Sequence, residues 1–302
     1  MFPNNKTSVP DNLIKISKNK GRVRACIVFS HDYSTLTSAK NAYDLGLIEP
    51  VFIGKKEIIF NQLEKLEWNI ENFETIEKTT DEEAAISAAE LASEEEIKLI
   101  IKGDLHTDIL MKTYLKKEYK LIKNQRLSHI WHITINNRDK PIYITDGALN
   151  VLPRLEVKMH ILKNAINFAH KIGNQKPSVA ILSGTEDPIS SMPSSIEAEK
   201  LMIMAKKEKL DAFVQGPLAL DNAISIEAAN IKKISGEVAG KADILLVPNL
   251  ETGNSITKIM VYYLGACAAG VIIGGKVPIV VPSRADNSSS KLASIAAGII
   301  AI

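Results

Sequence analysis

The chain has 302 residues, a formal charge of +2 at pH 7, 45% hydrophobic residues and 24% charged residues. This length can form one large or two medium domains with a substantial core, and the composition is ordinary for a soluble globular protein. The nearly balanced charge gives no electrostatic basis for nucleic acid or an anionic membrane as the main partner.

The cysteines and the apolar runs indicate a reduced, cytoplasmic protein. Cys26 and Cys267 lie in apolar surroundings, which is typical of small core residues rather than of a disulfide framework or a metal site. The first residues lack the charged-then-apolar layout of a signal peptide. The longest apolar run, Leu292 to Ile302, is shorter than the roughly 18 residues of a membrane span and predicts a final helix.

Strands and helices are predicted to alternate through the first half of the chain. The predicted strands are 23–30, 50–53, 73–76, 98–102, 127–135 and 141–144, and the predicted helices are 34–45, 55–66, 81–97 and one ending near residue 117. The last two strands are separated by a turn sequence at 136–139, so we expect them to be neighbours.

The second half repeats this alternation. The predicted helices are 155–170, 195–206, 223–229, 252–267 and the final helix, and the predicted strands are 178–182, 212–214, 244–247, 270–273 and 278–281. Helices of this length between strands predict parallel βαβ units and an α/β fold. Gly147, Asn150 and Pro153 make the stretch 146–153 the candidate domain boundary.

The last fifth of the chain carries the clearest functional signal. The segments 242–254, 270–278 and 282–286 each begin as an apolar run and end in small and polar residues. This is the pattern of a buried parallel strand that delivers polar groups at its C-terminal end, where α/β proteins bind ligands. Arg284 at such an end, between Ser283 and Asp286, suits an anionic group such as phosphate.

These motifs resemble the phosphate acetyl/butyryl transferase family. The segments 216–221, 242–254 and 282–286 carry the resemblance, and 102–107, 127–130 and 145–150 resemble the first-half motifs of the family's butyryl branch. Six motifs in order, spread over residues 20 to 302, form a specific signal. The resemblance implies exchange of an acyl group between coenzyme A and inorganic phosphate.

The resemblance also implies a fold. Members are similar to the isocitrate and isopropylmalate dehydrogenases, with two α/β domains of mostly parallel sheet around a deep cleft and a C-terminal helix that returns to the first domain. We therefore expect residues 1–147 plus about 285–302 to form the first domain, and residues 148–284 to form the second.

Ser283, Arg284 and Asp286 are the predicted catalytic residues. By the resemblance, Ser283 donates a hydrogen bond to the oxyanion or phosphate and Arg284 holds phosphate. The alternative is a surface arginine and a serine that caps the last helix. Acetyl-type relatives have an aspartate at the place of Ser290, so the base implied by those relatives cannot be assigned to this position. Asp286 is the nearest carboxylate, and it is either the base or a partner of Arg284 or the helix cap.

Eight further residues are predicted to bind substrate: His106, Thr107, Lys112, Gly216, Asp221, Gly253, Asn254 and Lys258. Each has a structural alternative, such as a helix cap, a turn or a solvated lysine. Gly253 is expected to let a ligand approach the backbone. His129 alternates with apolar residues, so we predict a strand histidine rather than a catalyst.

The sequence predicts a phosphate acyltransferase that needs no metal and no tightly bound cofactor, with coenzyme A as a substrate. One alternative is a non-catalytic protein that binds coenzyme A or acyl phosphate, and a weaker one is a dehydrogenase of the related fold. The chain has neither a dense aspartate cluster nor a Gly-x-Gly-x-x-Gly motif to support the dehydrogenase. An apolar helix at 256–267 and the resemblance predict a homodimer formed through the second domain.

Overall fold

The computed structural model describes residues 8–69, 73–122, 124–136, 140–283 and 286–302. The chain forms two compact units, which we call the N-terminal unit (residues 8–125 and 269–302) and the middle unit (residues 126–268). The expected boundaries after 147 and near 285 differ from this division. Strands at 128–134 and 142–145 pair with middle-unit strands, and the segment from 269 pairs with N-terminal strands.

The elements are these, in chain order. The helices are α1 Asp11–Asn19, α2 Tyr33–Asp44, α3 Lys56–Lys65, α4 Asp81–Ser93, α5 Thr107–Tyr114, α6 Leu155–Ile172, α7 Pro193–Lys207, α8 Leu220–Ile224, α9 Ile226–Ile231, α10 Leu250–Leu264 and α11 Ser288–Ala301. The strands are β1 Val23–Val28, β2 Ile48–Gly54, β3 Thr75–Glu77, β4 Leu99–Lys102, β5 Ser128–Thr134, β6 Ile142–Thr145, β7 Ser178–Leu182, β8 Phe213–Leu218, β9 Ile244–Leu246, β10 Cys267–Ile273 and β11 Ile279–Val280. A 3-10 turn covers Lys117–Tyr119.

The sheet of the N-terminal unit has the strand order β3-β2-β1-β4-β11-β10. All neighbours are parallel except β10 and β11, which form an antiparallel pair. The inward faces of these strands form one core with the helices, in which Ile27, Phe52, Leu99, Val280 and Ile295 are buried. The final helix α11 packs on α1, α2, β4 and β11, so the end of the chain completes this core.

The middle unit has the strand order β5-β6-β9-β7-β8. The pair β5 and β6 is antiparallel, and β6, β9, β7 and β8 run parallel to one another. Its core includes Ile144, Ala180, Leu218, Leu245 and Met260. The expectation of an α/β protein with mostly parallel sheet is confirmed.

Some predicted elements were wrong in detail. Helix α10 ends at Leu264, because Gly265 takes a left-handed conformation with φ 65° and closes the helix. Cys267, predicted as the last residue of that helix, instead begins β10. The helix predicted at 223–229 is two short helices, α8 and α9, and α1 was not predicted. The predicted turn at 136–139 falls mostly on residues 137–139, which lie outside the described residues.

Among the residues that the structure describes, no helix has both the length and the apolar character needed to cross a lipid bilayer. Cys26 and Cys267 are both buried and unbridged. Burial raises the pKa of the Cys26 thiol well above its usual range.

Two histidines on β5 are buried in the middle unit. His129 is 1% exposed and His132 is 2% exposed, and Nδ1 of each has no hydrogen-bond partner in the described part of the chain. Burial lowers the pKa of His129 from 6.5 to about 3 and that of His132 to about 4. His129 is therefore a neutral histidine of a strand, not one poised for proton transfer near pH 7.

We expect His129 to make the middle unit acid-sensitive. Because its folded-state pKa lies below the unfolded value of 6.5, the unfolded chain binds a proton that the folded chain rejects, and stability falls as pH drops from about 7 towards 3. At pH 5 this one histidine lowers the free energy of unfolding by about 2 kcal/mol relative to pH 8. In urea unfolding, His129→Phe should lose less free energy of unfolding between pH 8 and pH 5 than the unsubstituted protein does.

The matched control is Ile133→Val, since Ile133 lies on the same strand β5, is fully buried and has no titratable group. Its pH profile should run parallel to that of the unsubstituted protein. A pH profile of His129→Phe that also runs parallel to that of the unsubstituted protein would show that His129 does not cause the acid sensitivity.

Candidate functional site

The carboxyl end of β11 carries the predicted catalytic segment. Ser283 and Asp286 follow this strand and are both half-buried. The Ser283 N–H donates to Asp286 Oδ2 at 2.8 Å, and the Asp286 N–H donates to the Ser283 carbonyl at 3.0 Å. One oxygen of Asp286 therefore shapes the loop. Arg284 lies outside the described residues, so its predicted role is not described by the structure.

The last helix begins directly after this loop. Its N-cap is Asn287, whose Oδ1 accepts the Ser290 N–H at 2.8 Å. The cap of the last helix is therefore Asn287 and not Ser283, the capping alternative considered from sequence. Ser290, at the place of the acetyl-type aspartate, is 4% exposed, and its carbonyl accepts a hydrogen bond from Ser294 Oγ at 2.8 Å. Position 290 is therefore a buried first-turn position.

The carboxyl end of β4, the neighbour of β11, brings His106 and Thr107 to the same edge of the sheet. His106 is the N-cap of α5, but its side chain makes no capping hydrogen bond. Its backbone N–H donates to Asp81 Oδ2 at 3.0 Å, and Thr107 is half-buried. The N–H groups of the first turn, beginning at Thr107, form an end that favours anions.

Lys112 lies on α5 but belongs to a surface ion pair. Its side chain is 78% exposed, and Nζ is 3.1 Å from Asp108 Oδ2. This contact lowers the pKa of Asp108, as expected for a carboxylate beside an ammonium group. The structure gives Lys112 the solvated alternative considered from sequence, and a role in binding stays a prediction.

The carboxyl end of β1 contributes polar groups that the sequence analysis did not single out. His31 Nε2 accepts the Lys55 N–H at 2.9 Å. Burial and then the charge of Lys55 lower the pKa of His31. Because Nε2 is an acceptor, the neutral ring carries its proton on Nδ1, which is left as a donor. The next residue, Asp32, caps α2 and contacts Lys291 of α11.

In the middle unit, Gly216 and Asp221 lie near the end of β8. A Cβ at Gly216 would stand 2.7 Å from Ile181 Cβ, so packing against β7 excludes any side chain there. Asp221 is exposed, with Oδ2 3.4 Å from Lys232 Nζ, and Lys232 also pairs with Glu186 at 3.3 Å. The alternative considered from sequence was a turn closed by both residues, but the structure places Gly216 within β8 and Asp221 on α8. Their role in binding stays a prediction.

Helix α10 carries three of the predicted substrate-binding residues. The sequence predicted that the helix opens at 251–253 and that Gly253 admits a ligand. The structure corrects the start of the helix, because Asn249 is the N-cap and α10 begins at Leu250. A role for Gly253 in ligand binding stays a prediction, and a Cβ there would stand 2.8 Å from Gly147 Cα. The close approach is thus between two backbone segments, and Asn254 Nδ2 reaches the Gly147 carbonyl at 3.4 Å.

Lys258 lies one turn after Asn254 on the same face of α10. It is half-buried, and its Nζ is 6.0 Å from the ring centre of Tyr262. The half-buried stem and the aromatic contact hold the ammonium near the helix surface. The geometry is compatible with an anionic ligand, and the role in binding stays a prediction.

A buried carboxylate builds the loop beneath α10. Asp146 is 2% exposed and accepts N–H groups from His129, Ala148, Leu149 and the Asn150 side chain at 2.7 to 3.1 Å. Burial raises the pKa of Asp146, while these donors act in the opposite direction. The loop that holds Gly147 against α10 is thereby fixed.

The side chains present suit anion binding by hydrogen bonds and positive charge. Within the described ranges, no group of three or more histidine, cysteine, aspartate or glutamate residues could hold a metal ion. Backbone N–H groups, hydroxyls and lysines stand instead at or near the strand ends, and such donors can hold phosphate and stabilise an oxyanion.

Comparison with known proteins places this arrangement in a family. Residues 72–299 match the family model described as phosphate acetyl/butaryl transferase. A phosphate acetyltransferase from Rickettsia felis is 39% identical over 274 residues, which are 90% of this chain and 78% of that protein. A phosphate butyryltransferase from Clostridium acetobutylicum is 33% identical over 287 residues, 95% of either chain.

A solved structure agrees with these relatives. The branched-chain phosphotransacylase from Enterococcus faecalis V583 superposes with a TM-score of 0.80 at 29% identity, covering 92% of this chain and 98% of that one. The sequence resemblance is thus confirmed over most of the chain and in its fold. The chain belongs to the phosphate acetyl/butaryl transferase family.

Proposed function

We propose that this protein is a phosphate acyltransferase. It reversibly transfers a short acyl group, acetyl or butyryl, between coenzyme A and inorganic phosphate and so forms an acyl phosphate. The observation that carries the proposal is the family match over residues 72–299, which includes the Ser283 to Asp286 motif after β11.

The chemistry assigns a task to each part of this motif. A phosphate oxygen attacks the thioester carbonyl, the C–O bond forms, the C–S bond breaks through a tetrahedral oxyanion, and the thiolate leaves and takes up a proton. Arg284 is assigned to phosphate because a guanidinium forms two parallel hydrogen bonds to it. Ser283 is assigned to the oxyanion or phosphate. Asp286 is the proposed base, with its Oδ2 also accepting the Ser283 N–H.

The remaining assignments extend the same proposal. The residues proposed to bind coenzyme A or phosphate are His106, Thr107, Lys112, Gly216, Asp221, Gly253, Asn254 and Lys258. Coenzyme A enters as a substrate, and no tightly bound cofactor is needed. The isocitrate dehydrogenase-like arrangement with a cleft stays a prediction from the resemblance. The cytoplasm is the proposed location, because buried thiols and coenzyme A suit a reducing compartment.

The test is release of free thiol from acetyl-CoA and butyryl-CoA with and without phosphate. We expect release from both, only when phosphate is present. Butyryl is longer than acetyl by two methylenes, and each changes the transition-state free energy in an apolar pocket by about 1–3 kcal/mol, so the two rates should differ by no more than on the order of 10⁴-fold. Strict rejection of every acyl group but acetyl would contradict the proposed range of substrates.

Two further measurements distinguish the phosphate acyltransferase from the alternative functions. Binding of coenzyme A by calorimetry, without thiol release in either acyl series, would select the non-catalytic binding protein. Reduction of a nicotinamide dinucleotide with a hydroxy acid would select the dehydrogenase instead.

Substitution of Arg284 tests the phosphate assignment. Arg284→Ala should raise the KM for phosphate and lower kcat by roughly 100-fold, since a charged donor to the reacting group is lost. Arg284→Lys should recover only part of this, because an ammonium group lacks the planar fork. Arg22→Ala is the control, as Arg22 pairs on the surface with Glu49 at 3.3 Å. Unchanged phosphate kinetics in Arg284→Ala would rule the assignment out.

We also propose that the protein is a homodimer that uses α10. The sequence predicted a helix that is apolar on nearly all faces and buried on more than one side. Ile259, Tyr262, Tyr263 and Leu264 of this helix are 47% to 61% exposed in the single chain. A second copy of the chain, covering this apolar face, would remove it from water.

Light scattering at micromolar protein should give twice the chain mass of 33.1 kDa. Ile259→Asp should shift the mass towards the monomer, because it places a charge in an apolar contact. Ile203→Asp is the matched control, since Ile203 on α7 is 57% exposed in the same unit. A monomer mass for the unsubstituted protein with full activity would refute this proposal.

A further inference from the structure

A buried lysine stands in the first turn of α11. Lys291 is 3% exposed, and its Nζ lies 3.1 Å from Asp32 Oδ2 and 3.4 Å from Thr35 Oγ1. This position is costly in two ways. A cation at a helix N-terminus opposes the helix dipole, and a buried ammonium group loses its hydration. The lysine therefore depends on the contacts that receive it.

Asp32 receives the lysine while it also begins α2. Its carboxylate accepts the Ser34 N–H at 3.2 Å and the Thr35 N–H at 2.9 Å, and it contacts the Thr35 hydroxyl. Burial acts to raise the pKa of Asp32, but the hydrogen bonds of Thr35 and Lys291 and the charge of Lys291 bring it below its usual value. The pair is an ammonium group and a carboxylate, held in one geometry by four donors.

Lys291 is also fixed to the loop that carries Ser283. The Lys291 N–H donates to the Asn287 carbonyl at 3.1 Å, and Asn287 caps the same turn through Ser290. Before Asn287, Asp286 and Ser283 exchange two hydrogen bonds. Hydrogen bonds thus tie Lys291 to Asn287 at one end of this segment and Ser283 to Asp286 at the other.

We propose that Lys291 is a positioning residue for acyl transfer. Its ammonium group, bound between Asp32 and Thr35, fixes the beginning of α11 against α2, and this holds Ser283 at the carboxyl end of β11. The inference rests on the proposed phosphate acyltransferase activity. Lys291 acts through the segment and is not placed in contact with substrate.

The test begins with kcat and KM in two single variants, using acetyl-CoA and phosphate. Lys291→Met keeps the length of the side chain but removes the charge. Asp32→Asn removes the carboxylate charge yet leaves a residue that caps helices well, so α2 can still form. Both should lower kcat by roughly 10- to 100-fold, as expected for a displacement of about 1 Å at a reacting group. The KM for acetyl-CoA should change far less than kcat.

Two further variants show whether the pair acts as a unit. Lys291→Arg keeps a buried cation and should retain most of the activity of the unsubstituted protein. The double variant Lys291→Met/Asp32→Asn should be no slower than the slower single variant, because each change removes the same contact. Lys40→Met is the control. Lys40 lies on the same helix α2, but it forms a surface ion pair, with Nζ 3.0 Å from Oδ2 of Asp44, and the Asp44 side chain is 51% exposed.

Urea unfolding separates positioning from stability. Folded Lys291→Met and Asp32→Asn proteins with unchanged kcat and a lower urea midpoint would overturn the proposal, as would additive losses in the double variant. If Lys291→Met does not fold, Asp32→Asn and Lys291→Arg still distinguish a positioning role of Lys291 from a purely structural one. Failure of the unsubstituted protein to release thiol would instead overturn the proposed function itself.

Discussion

The pairing of β11 with β4 is the contact on which the candidate site depends. Strand β11 has only two residues, and it aligns Ile279 with Ile100 and Val280 with Ile101 in parallel. The Ile100 N–H donates to the Pro278 carbonyl at 3.1 Å. Because the strands are parallel, both chains leave the sheet at the same edge. Residues far apart in the sequence, such as those after β4 and those after β11, therefore lie at one end of the N-terminal unit.

In each unit a partly or wholly buried carboxylate also orders the chain at the end of a strand. In the N-terminal unit Asp32 joins the start of α2 to Lys291, and in the middle unit Asp146 gathers four N–H groups of β5 and its own loop. A carboxylate removed from water is stable only when donors replace the lost hydration. The same donors fix the backbone, and rigid strand ends are what a site for transition-state charge requires.

The alternation of strands and helices could be read from the sequence, because each buried strand is an apolar run with polar residues at its end. The limits of α10 could not, since the apolar residues continue past Gly265 into β10 without a change in pattern. The predicted domain boundaries after 147 and near 285 differ from those of the two compact units for a related reason. Whether a hairpin such as β5–β6 joins the strands before it or after it is decided by long-range pairing.

The candidate site was predictable only where it depends on local sequence, and not where it depends on long-range contacts. Motifs at strand ends identified the family and the segment after β11. The contact between Asp32 and Lys291 joins residues 259 positions apart, and its only trace in the sequence is one lysine in a final helix that is otherwise free of charge. A glycine such as Gly253 does not show from sequence whether a ligand or another backbone segment approaches it, and the approach seen in the structure is that of Gly147.

The geometry of the segment after β11 also bears on the need for a base. Oδ2 of Asp286 accepts the Ser283 N–H, so this oxygen could take a proton from substrate only by giving up that contact, and Ser290 offers no carboxylate. When phosphate attacks acyl-CoA, a phosphate dianion is already a nucleophile, and a thiol of pKa about 8.5 leaves readily as the thiolate. In the reverse direction the thiol must first lose its proton. Because both directions pass through one transition state, an Asp286 that takes the thiol proton in forming acyl-CoA returns it to the departing thiolate in forming acyl phosphate. If the thiolate instead enters and leaves without its proton, positioning with charge stabilisation carries both directions.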